Sequence, residues 1–430
     1  MNGLDQLGDV PTQSATQELG FDPADPRAAL DELPTRSAVF ALYGAEAHAE
    51  PYIGRTPNLR GRLERLLQPS AKHPRRLQLA GLVRRICFQL TGSEFESLLA
   101  QFELLEKVHG AKCLERMHLG APAFIRFLGG NAYPRIAVTY RPSLREADWA
   151  YGPFASRAAA ERFADETLKL FQLRRCTDDL TPHPDHPGCV YSEMKMCLAP
   201  CFQGCTDERY AEEAAGVQKF LATRAESRLV PLRAQRDQAS VNLEFEAAAA
   251  LHAQVQRVEA VRSLAPELVQ PLGKLRAVVL QASAQPDEVA VFLYQDGRLR
   301  GPASFSTLGM RIQNEQSGSS SLFAHPVALE PVPESPSPDA IGIAPVKIPR
   351  GLLESRMEAA LAVLSEPGEP PSATVRQGHL ALLKRWYYRP EVRRTGEIFF
   401  SNEDGGWPIK SMLRGAGRIA AKVFAPANPA

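Results

Sequence analysis

Four of the seven cysteines, Cys176, Cys189, Cys197 and Cys201, fall in one short stretch at C-x12-C-x7-C-x3-C spacing. Thiols gathered this closely pair as disulfides, stay free, or share a metal. The segment between the first two, Thr181-Pro-His-Pro-Asp-His-Pro-Gly188, is stiffened by proline and poor in apolar side chains, so it cannot order itself by burial. No signal-like apolar segment precedes it, and disulfides are uncommon in the cytoplasmic setting expected of such a chain. A metal centre held by four thiolates is therefore the expectation. Spacing leaves the metal open: the paired C-x2-C knuckles of most zinc ribbons are missing, yet four thiolates suit zinc and an iron–sulfur cluster alike. Cys205 lies close enough in sequence to substitute as a ligand, whereas Cys87 and Cys113 are distant and read as ordinary buried thiols.

Two further stretches carry chemistry. Between residues 55 and 85, Arg55, Arg60, Arg62, Lys72, Arg75, Arg76 and other cations face the single acid Glu64, although the 430-residue chain has a net charge of only +1. A uniformly basic nucleic-acid coat is excluded, but a local phosphate-binding face is not. Residues 232 to 261 combine small Ala239 and Ala247 to Ala250 with apolar Leu243, Phe245, Leu251 and Val255. That pattern fits a helical hairpin with close-packed seams that docks on a second surface, and equally an amphipathic core helix of the chain itself. No apolar run is long enough to span a bilayer, so no membrane partner is expected.

The elements that must position these residues follow an α+β order. Residues 1–34 show no sustained period and read as a flexible leader. In 35–115, apolar runs at Ala38–Leu42, Tyr52–Gly54 and Ile86–Leu90 predict strands, Asn58 caps a helix, and Ser93 with Glu96 makes a capping box for another. Residues 116–205 connect to the cysteines through a helix over Ala158–Leu173, and 206–263 are helical with a break expected at Pro231. A β segment over 264–310 has its hairpin turn at Asp296-Gly297. A Gly/Ser/Pro-rich linker, 311–350, leads to a basic helical region, 351–430. There, Lys384-Arg-Trp-Tyr-Tyr-Arg389 and Gly415-Ala-Gly417 have the composition of a stacking and phosphate platform for DNA, and equally of a packed core with a solvated basic rim.

The residues around the cysteines, Tyr151-Gly-Pro-Phe-Ala-Ser156, Leu173-Arg-Arg-Cys176, Cys189-Val-Tyr191 and Met196-Cys-Leu-Ala-Pro-Cys201, resemble the UvrC family, the incision subunit of bacterial nucleotide excision repair. The resemblance implies a four-iron four-sulfur (4Fe-4S) cluster on the four thiols, with zinc as the alternative. Ala38-Val-Phe40, Tyr52-Ile-Gly54-Arg55, Asn58-Leu59 and Arg62 are similar to the GIY-YIG nuclease module of that family. It implies catalytic roles for Tyr52 and Arg62, with Arg55 nearby, and DNA binding by Arg55, Arg60, Arg62, Lys72, Arg75 and Arg76.

Several positions depart from that pattern. Phe40 stands where the first tyrosine belongs, Gln101 where a glutamate holds Mg2+ or Mn2+, Leu66 where a further tyrosine or histidine is expected, and Cys113 near an expected asparagine. A ring without a hydroxyl moves no proton, and a neutral amide is a poor ligand for a hard cation. The expectation is a degenerate module that binds DNA without cutting it. The alternative is an active endonuclease with Glu103 or Glu96 as displaced ligand, making a single 3′-side incision in damaged DNA. Residues 232–261 resemble the UVR segment that pairs with UvrB, with Leu243, Phe245, Leu251 and Val255 as its anchors, although His252-Ala253 replace an arginine–aspartate pair. The resemblance covers roughly residues 35 to 305. It implies as partners damaged double-stranded DNA and UvrB or a UvrB-like protein, and it leaves out the family's RNase H-like domain.

Overall fold

The computed structural model describes residues 16–46, 49–68, 79–140, 150–177, 180–308, 310, 349–402 and 404–424. Helices and three small antiparallel sheets make it α+β, as the sequence pattern predicts.

The N-terminal unit runs β1 (Gln17–Gly20), α1 (Pro26–Glu32), β2 (Ala38–Gly44), β3 (Tyr52–Thr56), α2 (Leu59–Leu67), β4 (Val83–Leu90), α3 (Glu94–His109) and α4 (Cys113–Arg116), with strand order β1-β4-β2-β3. Period-two alternation sends Ala38, Phe40 and Leu42 into a core with Leu30, Leu59, Leu63 and Leu67 of α1 and α2. Val39, Ala41 and Tyr43, of the opposite phase, line a cleft together with Glu103 of α3. Residues 16–34 differ from the leader expected of them. β1 fills the open edge of β4, and Phe21, Leu30 and Leu33 are buried. An unpaired edge next to a hydrophobic face is costly to leave in water, and this short segment covers both. Asn58 caps α2 by accepting from the Gly61 amide at 2.9 Å, and Ser93 caps α3 by accepting from Glu96 at 3.1 Å.

The middle unit contains β5 (Ala123–Phe127), β6 (Ile136–Thr139), β7 (Ala150–Phe154), α5 (Arg157–Leu168), α6 (Val190–Glu193), α7 (Asp207–Ala222), α8 (Glu226–Val241), α9 (Phe245–Ser263) and β8 (Gln270–Pro271), in sheet order β6-β5-β7-β8. The helical stretch breaks at Arg224 and Ala225, both left-handed at φ 49° and 73°, rather than at Pro231. Pro231 sits early in α8. There it removes one backbone hydrogen bond while the roots of α8 and α9, including Leu229, Val258 and Val261, stay packed in the core.

The last unit holds β9 (Ala277–Ala282), β10 (Glu288–Gln295), β11 (Arg298–Ser306), α10 (Arg350–Ser365), α11 (Ala373–Tyr387), β12 (Glu397–Phe400) and α12 (Ile409–Phe424). Asp296 and Gly297 turn the hairpin with φ of 53° and 77°, the double left-handed geometry of a type I′ turn. Most of the expected linker lies outside the described residues. The region after it is not a helical appendage, because β12 joins β9 antiparallel and completes the order β11-β10-β9-β12. α10 and α12 cover one face of this sheet, and α11 covers the other together with α3 of the first unit. Phe95 of α3 meets Phe292 edge-on at 5.2 Å and Trp386 at 5.5 Å. Gly92 is required at this joint, since a Cβ there would overlap the main chain at Ser283 and Ala284.

His379 of α11 is buried, and its Nδ1 accepts from the Leu299 amide at 2.9 Å. Burial, with Arg298 adding to it, pushes its pKa down to about 3. The folded state therefore resists protonation, and the neutral imidazole contributes stability that is lost as pH falls below its unfolded value near 6.5. Glu103, pushed up to about 7 chiefly by burial, acts in the opposite direction, losing stability as pH rises from its unfolded value toward 7. Changing His379→Asn, which keeps an acceptor for Leu299, is expected to flatten the loss of melting temperature between pH 7 and pH 5. Equal slopes in the two proteins would refute the assignment.

Candidate functional site

All four cysteines lie in the middle unit, with Cys176, Cys189 and Cys201 near enough to act electrostatically on Cys197. Cys176 follows α5 in an extended segment, Cys189 caps α6, and Cys197 and Cys201 flank a tight bend. The bend is fixed by backbone bonds from Leu198 to Gln172 and from His183 to Cys201, both 3.0 Å, so the proline-rich loop is tied to the last cysteine. Ala199 donates its amide to Cys197 Sγ at 3.3 Å. Lys195, Ala199 and Gln203 all take left-handed backbone conformations, at φ 55°, 56° and 59°. Each costs a non-glycine residue about 1 kcal/mol or more, so three within nine positions mark a loop whose shape is imposed by more than its own preference. Burial pushes the Cys197 thiol up to about 11, and Cys176, Cys189 and Cys201 reinforce that rise. Cys205 interacts with Cys201 but is not among the groups acting on Cys197. Cys113 is fully buried in the core that α3 shares with α11, whereas Cys87, expected to be buried, is half-buried against Glu18.

Four cysteine sulfurs, which as thiolates would repel one another, are a suitable donor set for a cationic centre. Among the described residues no three His, Cys, Asp or Glu side chains meet closely enough to share one ion. The chemistry of the donor set, four soft thiolates, suits an iron–sulfur cluster and zinc alike.

In the N-terminal sheet, Phe40 is 1% exposed and its ring centroid lies 6.2 Å from that of Tyr52. A Cβ on Gly54 would come within 2.8 Å of Phe40 Cζ, which explains the glycine. Arg62 donates to Tyr52 Oη at 3.3 Å. Among the described residues no hydrogen bond links Gln101 to this pair. Glu96 is buried, and its carboxylate closes the cap of α3 by accepting from the Gly92 amide at 2.8 Å. Leu66 is core.

The basic candidates divide. Arg55 lies 3.6 Å from Glu94, which Arg389 grips with two bonds of 2.8 and 2.7 Å. Hydrogen bonds from Arg389, with Arg55 adding to them, hold the Glu94 carboxyl below the usual range. Arg60 donates to the carbonyls of Leu33 and Asp31, both at 2.7 Å, and so ties α1 to α2. Lys72, Arg75 and Arg76 lie outside the described residues. The basic aromatic stretch is a joint rather than an open platform. Trp386 is 2% exposed and donates to Thr395, Tyr388 donates to Pro153 at 2.9 Å, and Arg389 reaches α3. No signal in one sequence marks Arg389 and Glu94 as partners, since 295 positions separate them.

α8 and α9 form a hairpin rooted in the middle core and open at its tip. Val241, Leu243 and Phe245 are 76%, 70% and 68% exposed, and Leu251 is half-buried. Leu243 adopts φ 61°, the left-handed turn position that favours glycine. Val255, expected to face a partner, is instead 2% exposed in the chain's own core, because the hairpin's lower half packs against α5 and α7.

A family model for the UvrC/Cho excinuclease middle domain matches residues 124–220, which enclose all four cysteines. UvrABC system protein C of Alcanivorax borkumensis is 27% identical over 65% of this chain and 46% of its own length. That of Rhodospirillum rubrum is 27% identical over 67% and 46%. That of Pseudomonas syringae pv. syringae is 30% identical over 54% and 37%. No solved structure matches. The chain spans about half the length of the curated relatives it matches. Among the described residues no helix is long and apolar enough to cross a membrane. With the matched domain enclosing the cysteine set, and relatives of one name aligned over some two thirds of its length, the chain is similar to UvrC-family proteins.

Proposed function

We propose that this chain works in nucleotide excision repair as a UvrC-like protein that binds damaged double-stranded DNA and a UvrB-like partner, carries a 4Fe-4S cluster on Cys176, Cys189, Cys197 and Cys201, and does not cut. The carrying observation is the Phe40, Tyr52 and Arg62 arrangement. Tyr52 and Arg62 offer a hydroxyl and a guanidinium to a phosphate. Phe40 supplies no second phenol, and Gln101 no carboxylate for a metal. The retained Tyr52–Arg62 bond favours the second reading, an active nuclease using Mg2+ or Mn2+ for a single 3′-side incision. A bound cluster would supply a charged cross-link between the distant parts of the loop. The residues that would hold it are themselves positioned by Ala199, Gln172 and His183.

Partner binding rests on the hairpin tip. A leucine kept in a left-handed position, with its side chain in water, gains nothing for the free chain. It gains if a second helical surface covers it together with Phe245. Phe245→Ala is expected to weaken UvrB binding by roughly thirtyfold or more, the hot-spot range for a central aromatic, while changing stability by less than about 0.5 kcal/mol. Leu243→Gly should leave the fold at least as stable, through relief of the turn, yet also lower affinity. Fluorescence anisotropy with purified UvrB checks both, and unchanged affinity in both variants would contradict the assignment.

A further inference from the structure

Arg174 is 3% exposed, the most deeply buried cation near the cysteines. A guanidinium in such a place costs several kcal/mol of lost hydration unless its surroundings compensate. Its Nε donates to the Tyr133 carbonyl at 2.9 Å, and its main-chain amide donates to Tyr210 Oη at 3.1 Å. Its Nη1 lies 3.6 Å from Cys176 Sγ, within donor reach of sulfur. Tyr210, itself 1% exposed, donates onward to the Pro134 carbonyl at 2.8 Å. The strand connection at 133–134, α7 and the first cysteine are thus fastened through one residue, its side chain reaching Tyr133 and Cys176 and its main-chain amide reaching Tyr210. Cys176, within reach of this guanidinium, becomes an anion when it ligates.

We propose that Arg174 is a positioning residue for the cysteine centre: its guanidinium orients Cys176 and offsets the negative charge that four thiolates bring to a bound cluster, thereby setting the cluster's reduction potential and its hold on iron. The proposal rests on reading the four thiols as an iron–sulfur site. A positive charge and an N–H donor directed at a ligand sulfur favour the more negative, reduced state, because they lower the energy of added electron density. Lysine could supply the charge without the planar fork that bonds Tyr133 and Cys176 together.

The test uses the full chain, purified anaerobically, as wild type, Arg174→Gln and Arg174→Lys. In Arg174→Gln the reduction potential should move to a more negative value, and iron loss to a chelator should accelerate roughly tenfold or more, as when an outer-shell partner of a ligand is removed. Arg174→Lys should restore much of the potential but not the slow iron loss. A folded Arg174→Gln protein with wild-type potential and wild-type iron release overturns the proposal. Pulsed electron paramagnetic resonance of the reduced wild-type cluster, with isotopically labelled arginine, should show coupling to an arginine nitrogen. Absence of that coupling overturns the proposal whether or not the variants fold. Wild-type protein free of iron overturns the cluster reading along with it, whereas iron-loaded wild type with an unchanged Arg174→Gln overturns this proposal alone.

Discussion

Incubated with UvrA, UvrB, a lesion-bearing duplex and either magnesium or manganese, the chain is expected to leave the DNA uncut, or to nick it several orders of magnitude more slowly than a UvrC protein with an intact nuclease module. Loss of a single electrostatic element from an active site costs about a hundredfold or more in rate. Here two elements of the family pattern are missing. Phe40 is held in the first tyrosine's place by the same packing on Gly54 that a tyrosine ring would use, but it has no oxygen to take part in proton transfer. Gln101 has no charge for a hard cation. Neither proposed substitute is well placed. Glu96 is buried and engaged with the Gly92 amide just before the Ser93 cap of α3. Glu103 lies in the cleft with Val39, Ala41 and Tyr43, whereas Phe40 points into the core of the opposite sheet face. Because catalytic groups act as a unit, the two losses need not multiply, and a residual rate near the single-loss level is the upper bound expected. The check is strand-specific: efficient metal-dependent incision, abolished by Tyr52→Phe or Arg62→Ala, would establish the active-nuclease reading instead.

The second large effect is expected at the cysteines. Anaerobically purified protein should be brown, with iron and sulfide in near-equal amounts, and Cys197→Ala should abolish the colour. Cys197 is the informative position because its thiol is acted on by all three of the others and receives the Ala199 amide. The same substitution should loosen the segment from 180 to 205. Its left-handed residues and proline-rich strap have few apolar contacts, and the binding energy of the centre is what holds such a loop. Limited proteolysis reads this directly, with new cleavage in that segment and none in the β9–β12 sheet. Colourless wild-type protein holding one zinc would reverse the choice of metal while leaving the ligand set in place.

How much of this was legible in the sequence follows the range of the forces involved. The strands at Ala38 and Tyr52, the Asn58 and Ser93 caps and the Asp296-Gly297 turn were all readable, because each depends on residues within a few positions of one another. The exposed tip at Leu243 and Phe245 was readable too, since a short hairpin has little core of its own. Pro231 misled: proline's local rule predicts a break, but the packing of Leu229 and its neighbours outweighs one missing hydrogen bond.

Only the tertiary structure decided what depends on partners far along the chain. β1 was read as leader until β4 offered it an edge, and β12 as part of a helical tail until β9 did. Arg60, Arg389 and Trp386 have the composition of a DNA-binding face, yet they are committed to carbonyls and carboxylates of distant segments. Val255 differs from Phe245 not in chemistry but in which helix lies over it. The sequence by itself determined which residues can ligate, cap, turn or bind phosphate, because those capacities belong to side chains and short spacings. Which of those capacities remain free for function was decided by burial and long-range pairing, since the same guanidinium or ring is a binding group in water and a structural one when another unit closes over it.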